Sequence, residues 1–157
     1  MRWKDWLEKW KMTSLKINTG FLELDWQPCD EDKTAAWELY IELLTRITTQ
    51  RLGEGGDELT ALSSIHSLFE TTRDIIKSNG RGCMEFTKIA VIILNQKIRP
   101  FTSKWHQLSL SGCFRDKKER IKFRQELSEL NAILSIYTQM LSEMAGVEDI
   151  THLESAD

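Results

Sequence analysis

Proline is scarce in this chain: Pro28 and Pro100 are the only two in 157 residues. So few helix breakers permit long uninterrupted helices. Cysteine is sparse as well. Cys29, Cys83 and Cys113 stand far apart, and no two form a CxxC pair. That spacing argues against a disulfide framework and against a clustered-cysteine zinc site, and fits reduced thiols in a cytoplasm. His66, His106 and His152 are scattered, and no Glu-x-x-His pair lies on a helix. A bundle di-iron site needs two such pairs, so no metal and no cofactor is expected. The longest strictly apolar run, Ile89 to Leu94, falls far short of the roughly 20 residues that span a bilayer. The opening MRWKDWLEKWK lacks the apolar core of a secretory signal. A cytoplasmic protein with no transmembrane segment is the expectation.

Catalytic motifs are missing too. Gly53-Glu54-Gly55-Gly56 is glycine-rich but lacks the Lys-Ser/Thr of a P-loop, and Asp57 beside it would repel phosphate. Ser103 with His106, or Cys113 with a histidine, could be drawn as a nucleophile and its base. No nucleophile elbow surrounds either. An enzyme is therefore not expected, and no catalytic residue is assigned.

Hydrophobic residues make up 41% and charged ones 29%, the balance of an ordinary globular domain. A chain of this length can bury a core without disulfides or metal. We expect one domain over 1–157: a helix-plus-hairpin arm at 1–28, a helical bundle at 30–146, and an acidic, partly disordered tail at 147–157. The net charge of -3 hides two blocks. Residues 115–124 carry six basic side chains against two acids, and residues 142–157 carry five acids without Lys or Arg. The basic block is a nucleic-acid candidate on charge alone; no helix-turn-helix, RNP or zinc-knuckle pattern supports it.

Hydrophobic spacing supplies the elements. Trp3, Trp6, Leu7 and Trp10 share one face of a short helix. Leu15 and Ile17, then Leu22, Leu24 and Trp26, alternate with polar residues on either side of Asn18-Thr19-Gly20. This pattern predicts a small β-hairpin packed on helices, or an arm that pairs with another chain. Helices are expected at about 31–51, 57–79, 83–99 and 116–145, mainly α, as a four-helix-type bundle. The fourth helix in the chain, from Phe86 to Ile98, is apolar all round and reads as its buried centre. Pro100 should kink or end it, with a short helical continuation before a loop at 109–114. The expected stripes include Trp37 on the second helix and Ile121 on the fifth.

After Pro100 the chain crowds polar and aromatic groups together. No acid lies between Asn95 and His106, while Lys97, Arg99 and Lys104 are positive. Arg99, Lys104, Trp105 and His106 could hold a phosphate or carboxylate and stack on a planar group. Arg46 and Arg73 could build a second polar cluster near the same end. The competing reading makes Phe101 and Trp105 a plug of the bundle end, with Arg99 paired to Glu38, Glu42 or Glu70. It is the weightier of the two.

The stretches Asp30–Gln50 and Leu94–His106 resemble small, mainly helical bacterial proteins that carry no assigned activity. The resemblance covers most of the chain, implies a bacterial cytoplasmic protein, and transfers no catalytic residue.

Three functions remain open on the sequence. The first is a non-enzymatic interaction or adaptor subunit of a bacterial assembly that uses Trp3, Trp6, Trp10 and Trp26 together with the Arg99–His106 collar and binds a protein partner or its own copy. The second is a small-ligand or phosphate sensor at the Arg99–His106 collar. The third is weak nucleic-acid binding through 115–124.

Overall fold

A computed structural model describes residues 1–46 and 57–153. Eight α-helices are present among them: α1 (Trp3–Lys9), α2 (Thr19–Leu22), α3 (Asp30–Thr45), α4 (Glu58–His66), α5 (Leu68–Asn79), α6 (Met84–Ile93), α7 (Arg99–Leu110) and α8 (Lys117–Ala145). The molecule is mainly helical. The segment 47–51, expected to finish the second helix, lies outside the described residues, as do Gly53–Gly56 and the last residues of the acidic tail.

Helix α3 is the packed centre. α8, α5 and α6 all lie against it, and α4 lies against α7. Its buried face is Ala35, Ala36, Leu39, Tyr40 and Leu43, which meets Leu127, Leu130, Leu134 and Tyr137 of α8 in one core. Trp37 lies off that face and is 45% exposed; Ile121 on α8 is exposed too, and Phe123 takes the buried position. Asp32 fastens the centre. Its buried carboxylate accepts the Cys29 backbone N–H at 3.0 Å and the Phe86 N–H at 2.9 Å. One side chain thus caps α3 and the first turn of α6 together, satisfying N–H groups that a helix start leaves without intrahelical partners.

The expected hairpin does not form. Among the described residues there is no strand, only one antiparallel bridge between Arg2 and Asp25. Asn18 explains the difference. Its side-chain oxygen accepts the Gly20 N–H at 2.7 Å, so Asn-Thr-Gly starts a turn of helix rather than a hairpin turn. The backbone at 24–26 then pairs with the chain start: Trp3 N–H donates to Leu24 O at 2.9 Å and Trp26 N–H to Met1 O at 2.6 Å.

The expected helix at 57–79 bends at Ser67, between α4 and α5. The Ser67 hydroxyl donates to the Ser64 carbonyl at 2.6 Å, a local contact that competes with regular helix geometry.

Pro100 neither ends the helix nor leaves a gap. α6 runs through a π-helical turn, Leu94–Ile98, straight into α7. Pro100 lacks an N–H, and its ring would strike the carbonyl four residues back in a regular helix. The wider π-turn absorbs that conflict, with the Arg99 N–H bonded to Leu94 O. Gln96, whose carbonyl would be struck, uses its side-chain amide on the chain before α2. It accepts the Lys16 N–H at 2.8 Å and donates to Lys16 O at 2.7 Å.

Nor is α6 buried on all sides. Phe86, Ile89, Ala90 and Ile93 face the core, whereas Val91 is 43% exposed. Helix α7 extends to Leu110, two residues into the loop expected at 109–114; Gly112, with φ of 76°, makes the left-handed turn that follows. The tail from Val147 is tied down in its described part. Thr151 is buried, and the Ile150 N–H donates to the Tyr40 hydroxyl at 2.8 Å.

Candidate functional site

The rod formed by α6, the π-turn and α7 presents different residues on two sides. Phe101 and Trp105 point inward and join Phe114 and Phe123 in an aromatic cluster. The Trp105 indole N–H and the Lys104 ammonium both donate to Glu126 of α8. Lys104 also lies 5.1 Å from the Trp105 ring centroid. These two members of the expected collar are therefore engaged within the molecule.

Arg99 and His106 sit on the other side, one and three helical turns along from Asn95 and bracketing Thr102 and Ser103. Arg99 is not paired with Glu38, Glu42 or Glu70. Its Nε donates to Asn95 Oδ1 at 3.1 Å, and its guanidinium lies 4.7 Å from the Phe69 ring centroid. Facing it across the cleft, α4 and α5 present His66, Phe69 and Arg73, which recur at i, i+3 and i+7. Arg73 has no hydrogen bond or ion pair among the described residues and is exposed.

Three adjoining chambers follow this cleft. The middle one, about 250 Å³, is lined by His66, Phe69, Arg73, Arg99, Thr102, Ser103 and His106. On one side lies a chamber of about 370 Å³ that shares His66, Thr102 and His106 and adds Leu59, Leu62 and Ser109. On the other lies a chamber of about 330 Å³ that shares Phe69, Arg73 and Arg99 and adds Ile76, Lys77, Val91 and Leu94. None of the described residues lining the three is acidic. The groove is therefore cationic at its centre and apolar toward both ends.

Arg46 belongs elsewhere. It reaches from the end of α3 to the bend between α4 and α5, donating to Glu42 at 2.8 Å, to Thr71 at 2.7 Å and to Ser67. It clamps two elements and does not meet Arg73 in the groove lining.

The four N-terminal indoles also turn inward. Trp3 and Trp6 are 0% and 1% exposed, while Trp10 and Trp26 are half-buried against the core. Trp6 stacks on Trp26 with centroids 4.7 Å apart. Trp3 donates to Glu85 at 2.7 Å. Trp6 and Trp10 both donate to Glu143 Oε2, at 3.0 and 2.6 Å, and Lys9 reaches Glu143 Oε1 at 2.6 Å. Burial pushes the Glu143 carboxyl pKa up; the hydrogen bonds from Lys9, Trp10 and Trp6 and the Lys9 charge outweigh it, leaving the group below the usual range.

The basic block on α8 is partly neutralised. Arg124 donates to Glu58 at 3.0 Å, Arg120 to the Phe114 carbonyl at 2.9 Å, and Lys122 lies 4.0 Å from Glu119. Among the described residues no three His, Cys, Asp or Glu side chains gather as metal ligands. No described helix is long and apolar enough to cross a membrane.

No family model, curated protein or solved structure matches this chain.

Reasoning from sequence missed His66, Phe69, Thr102 and Ser103 as groove residues. A signal for the first two was present: His66, Phe69 and Arg73 share one helical face, as do Arg99, Ser103 and His106. Nothing in sequence spacing says that those two faces oppose each other.

Proposed function

We propose that this protein is a binding module for anionic ligands, and that its recognition site is the groove between α4–α5 and the π-turn–α7 rod. The observation that carries the reading is the pair Arg73 and Arg99 in one groove with no carboxylate among the described lining residues. Two guanidinium groups bind carboxylate or phosphate through forked, charge-assisted hydrogen bonds. The Ser103 and Thr102 hydroxyls line the same chamber, and the exposed His66 and His106 add donors there. The π-turn supports the reading further, because such turns occur often at functional sites. Asn95 within it accepts from Arg99 Nε, and the same guanidinium lies over Phe69.

The test is thermal denaturation with pyrophosphate as probe. A rise in melting temperature is expected for the wild type and for a Lys117→Ala/Lys118→Ala control. It should vanish in Arg73→Ala/Arg99→Ala. A folded double variant that keeps the full shift would sink the reading. Nucleic-acid binding through 115–124 has less support, since Arg120, Lys122 and Arg124 already face partners.

A further inference from the structure

The length and polarity of the groove say more about its occupant than the cations alone. The lining of the rod runs from Val91 to Ser109, a distance of roughly 27 Å at the rise of an α-helix. That exceeds a single phosphate or a small carboxylate several times over. Apolar side chains stand at both ends: Leu59 and Leu62 at one, Ile76, Val91 and Leu94 at the other. Leu59 is 53% and Val91 43% exposed, so large apolar groups meet water at opposite ends of a cationic centre. His66, Arg73, Arg99, Ser103 and His106 are also exposed along its length. A ligand lying here would keep one side in water.

A compact metabolite is normally enclosed on most of its surface by its pocket. A trough between two helices suits instead an amphipathic helix, which buries one stripe and leaves the other solvated. Charge complementarity sets the rest of its chemistry. With Arg73, Arg99 and Lys77 on the walls and no described acid lining them, the buried stripe must carry carboxylates at its middle. Leucine-like anchors on either side would reach Leu59 and Val91.

We infer that the groove docks an acidic amphipathic helix of a partner protein, apolar toward both ends and carboxylate-bearing at its centre. This rests on the anion-binding reading above and names the ligand of the same site.

The experiment is a selection of displayed random peptides of about 18 residues, the helical length that matches the groove, on the full chain. The strongest binder is then measured by fluorescence anisotropy on three proteins: wild type, Arg73→Ala/Arg99→Ala and Leu59→Ser/Val91→Ser. All four substituted side chains are exposed, so each variant should fold, which circular dichroism checks. Enriched peptides should carry central Asp or Glu between apolar residues at helical spacing. Affinity should fall about tenfold or more in either double variant. Pyrophosphate shifts should be lost only in the arginine variant. No enrichment, or full peptide affinity in Leu59→Ser/Val91→Ser, overturns the helix inference; the anion site survives if pyrophosphate still depends on the arginines. If neither peptide nor pyrophosphate responds to the arginine variant, both readings fall.

Discussion

The two sides of α7 carry the same kinds of group, yet one is neutralised and the other is not. On the inner side Lys104 and Trp105 share the carboxylate of Glu126. The same device recurs at the N-terminus, where Lys9, Trp6 and Trp10 share Glu143. On the outer side Arg99 lies over Phe69, with Arg73 and His106 lining the same chamber and no carboxylate among the described lining residues. A cation beside an aromatic ring is thus no signature of a site by itself. The difference lies in the acid. Where the fold uses the pair for cohesion, a glutamate from α8 supplies the partner; on the outer side no described lining residue supplies one.

Removing the glutamates breaks the inner side of this comparison. Glu143→Ala leaves two indole N–H groups, that of the buried Trp6 among them, without their acceptor. A loss of about 3 kcal/mol is expected, since each stranded donor costs about 1–3 kcal/mol. For a chain of this length that lowers the melting temperature by roughly 6–12 °C. Glu126→Ala strands one buried indole and releases an exposed lysine, so its loss should be smaller, about 2 kcal/mol. Denaturant unfolding followed by tryptophan fluorescence measures both. A loss below about 0.5 kcal/mol, the level of an ordinary surface change, would show that these carboxylates do not hold the fold.

On the outer side the same operation should do the reverse. Arg73→Ala/Arg99→Ala removes one cation–π contact and a hydrogen bond to Asn95, so stability should change by no more than about 1 kcal/mol. Pyrophosphate binding should nevertheless disappear. If the double variant unfolds as readily as Glu143→Ala, the arginines belong to the structure and the contrast between the two sides fails.

Much of this was legible before the structure, and the parts that were not share a cause. The long helices follow from apolar spacing and scarce proline, and α8 begins and ends close to its expected bounds. The hairpin failed because an Asn side chain captured its own backbone locally, which alternation of apolar residues does not reveal. The buried central helix failed because composition cannot say which side of α6 lacks a neighbour. Val91 and Leu59 are apolar and look like core; only the packing shows them at the ends of a groove. The collar is one stretch in sequence but has two faces in the fold. Arg99 and His106 go one way, and Lys104 and Trp105 the other, because a helix separates neighbours in sequence by about 100°.

Acid should loosen the inner side, and by less than either glutamate deletion above. The Glu143 carboxyl is held below the usual range in the folded protein, despite its partial burial, by Lys9, Trp10 and Trp6. A group with a depressed folded pKa stabilises fully above its unfolded value, near 4.3 for glutamate, and loses that contribution as pH falls through the folded value. Protonation leaves a neutral carboxyl that can still accept a hydrogen bond, so charge assistance is lost but the contact is not. Melting curves of wild type and Glu143→Gln should therefore differ most at pH 7 and converge toward pH 3. The substitution takes the charge away beforehand. Parallel curves with a constant gap across that range would place the acid-sensitive group elsewhere and leave the N-terminal clamp with no electrostatic component.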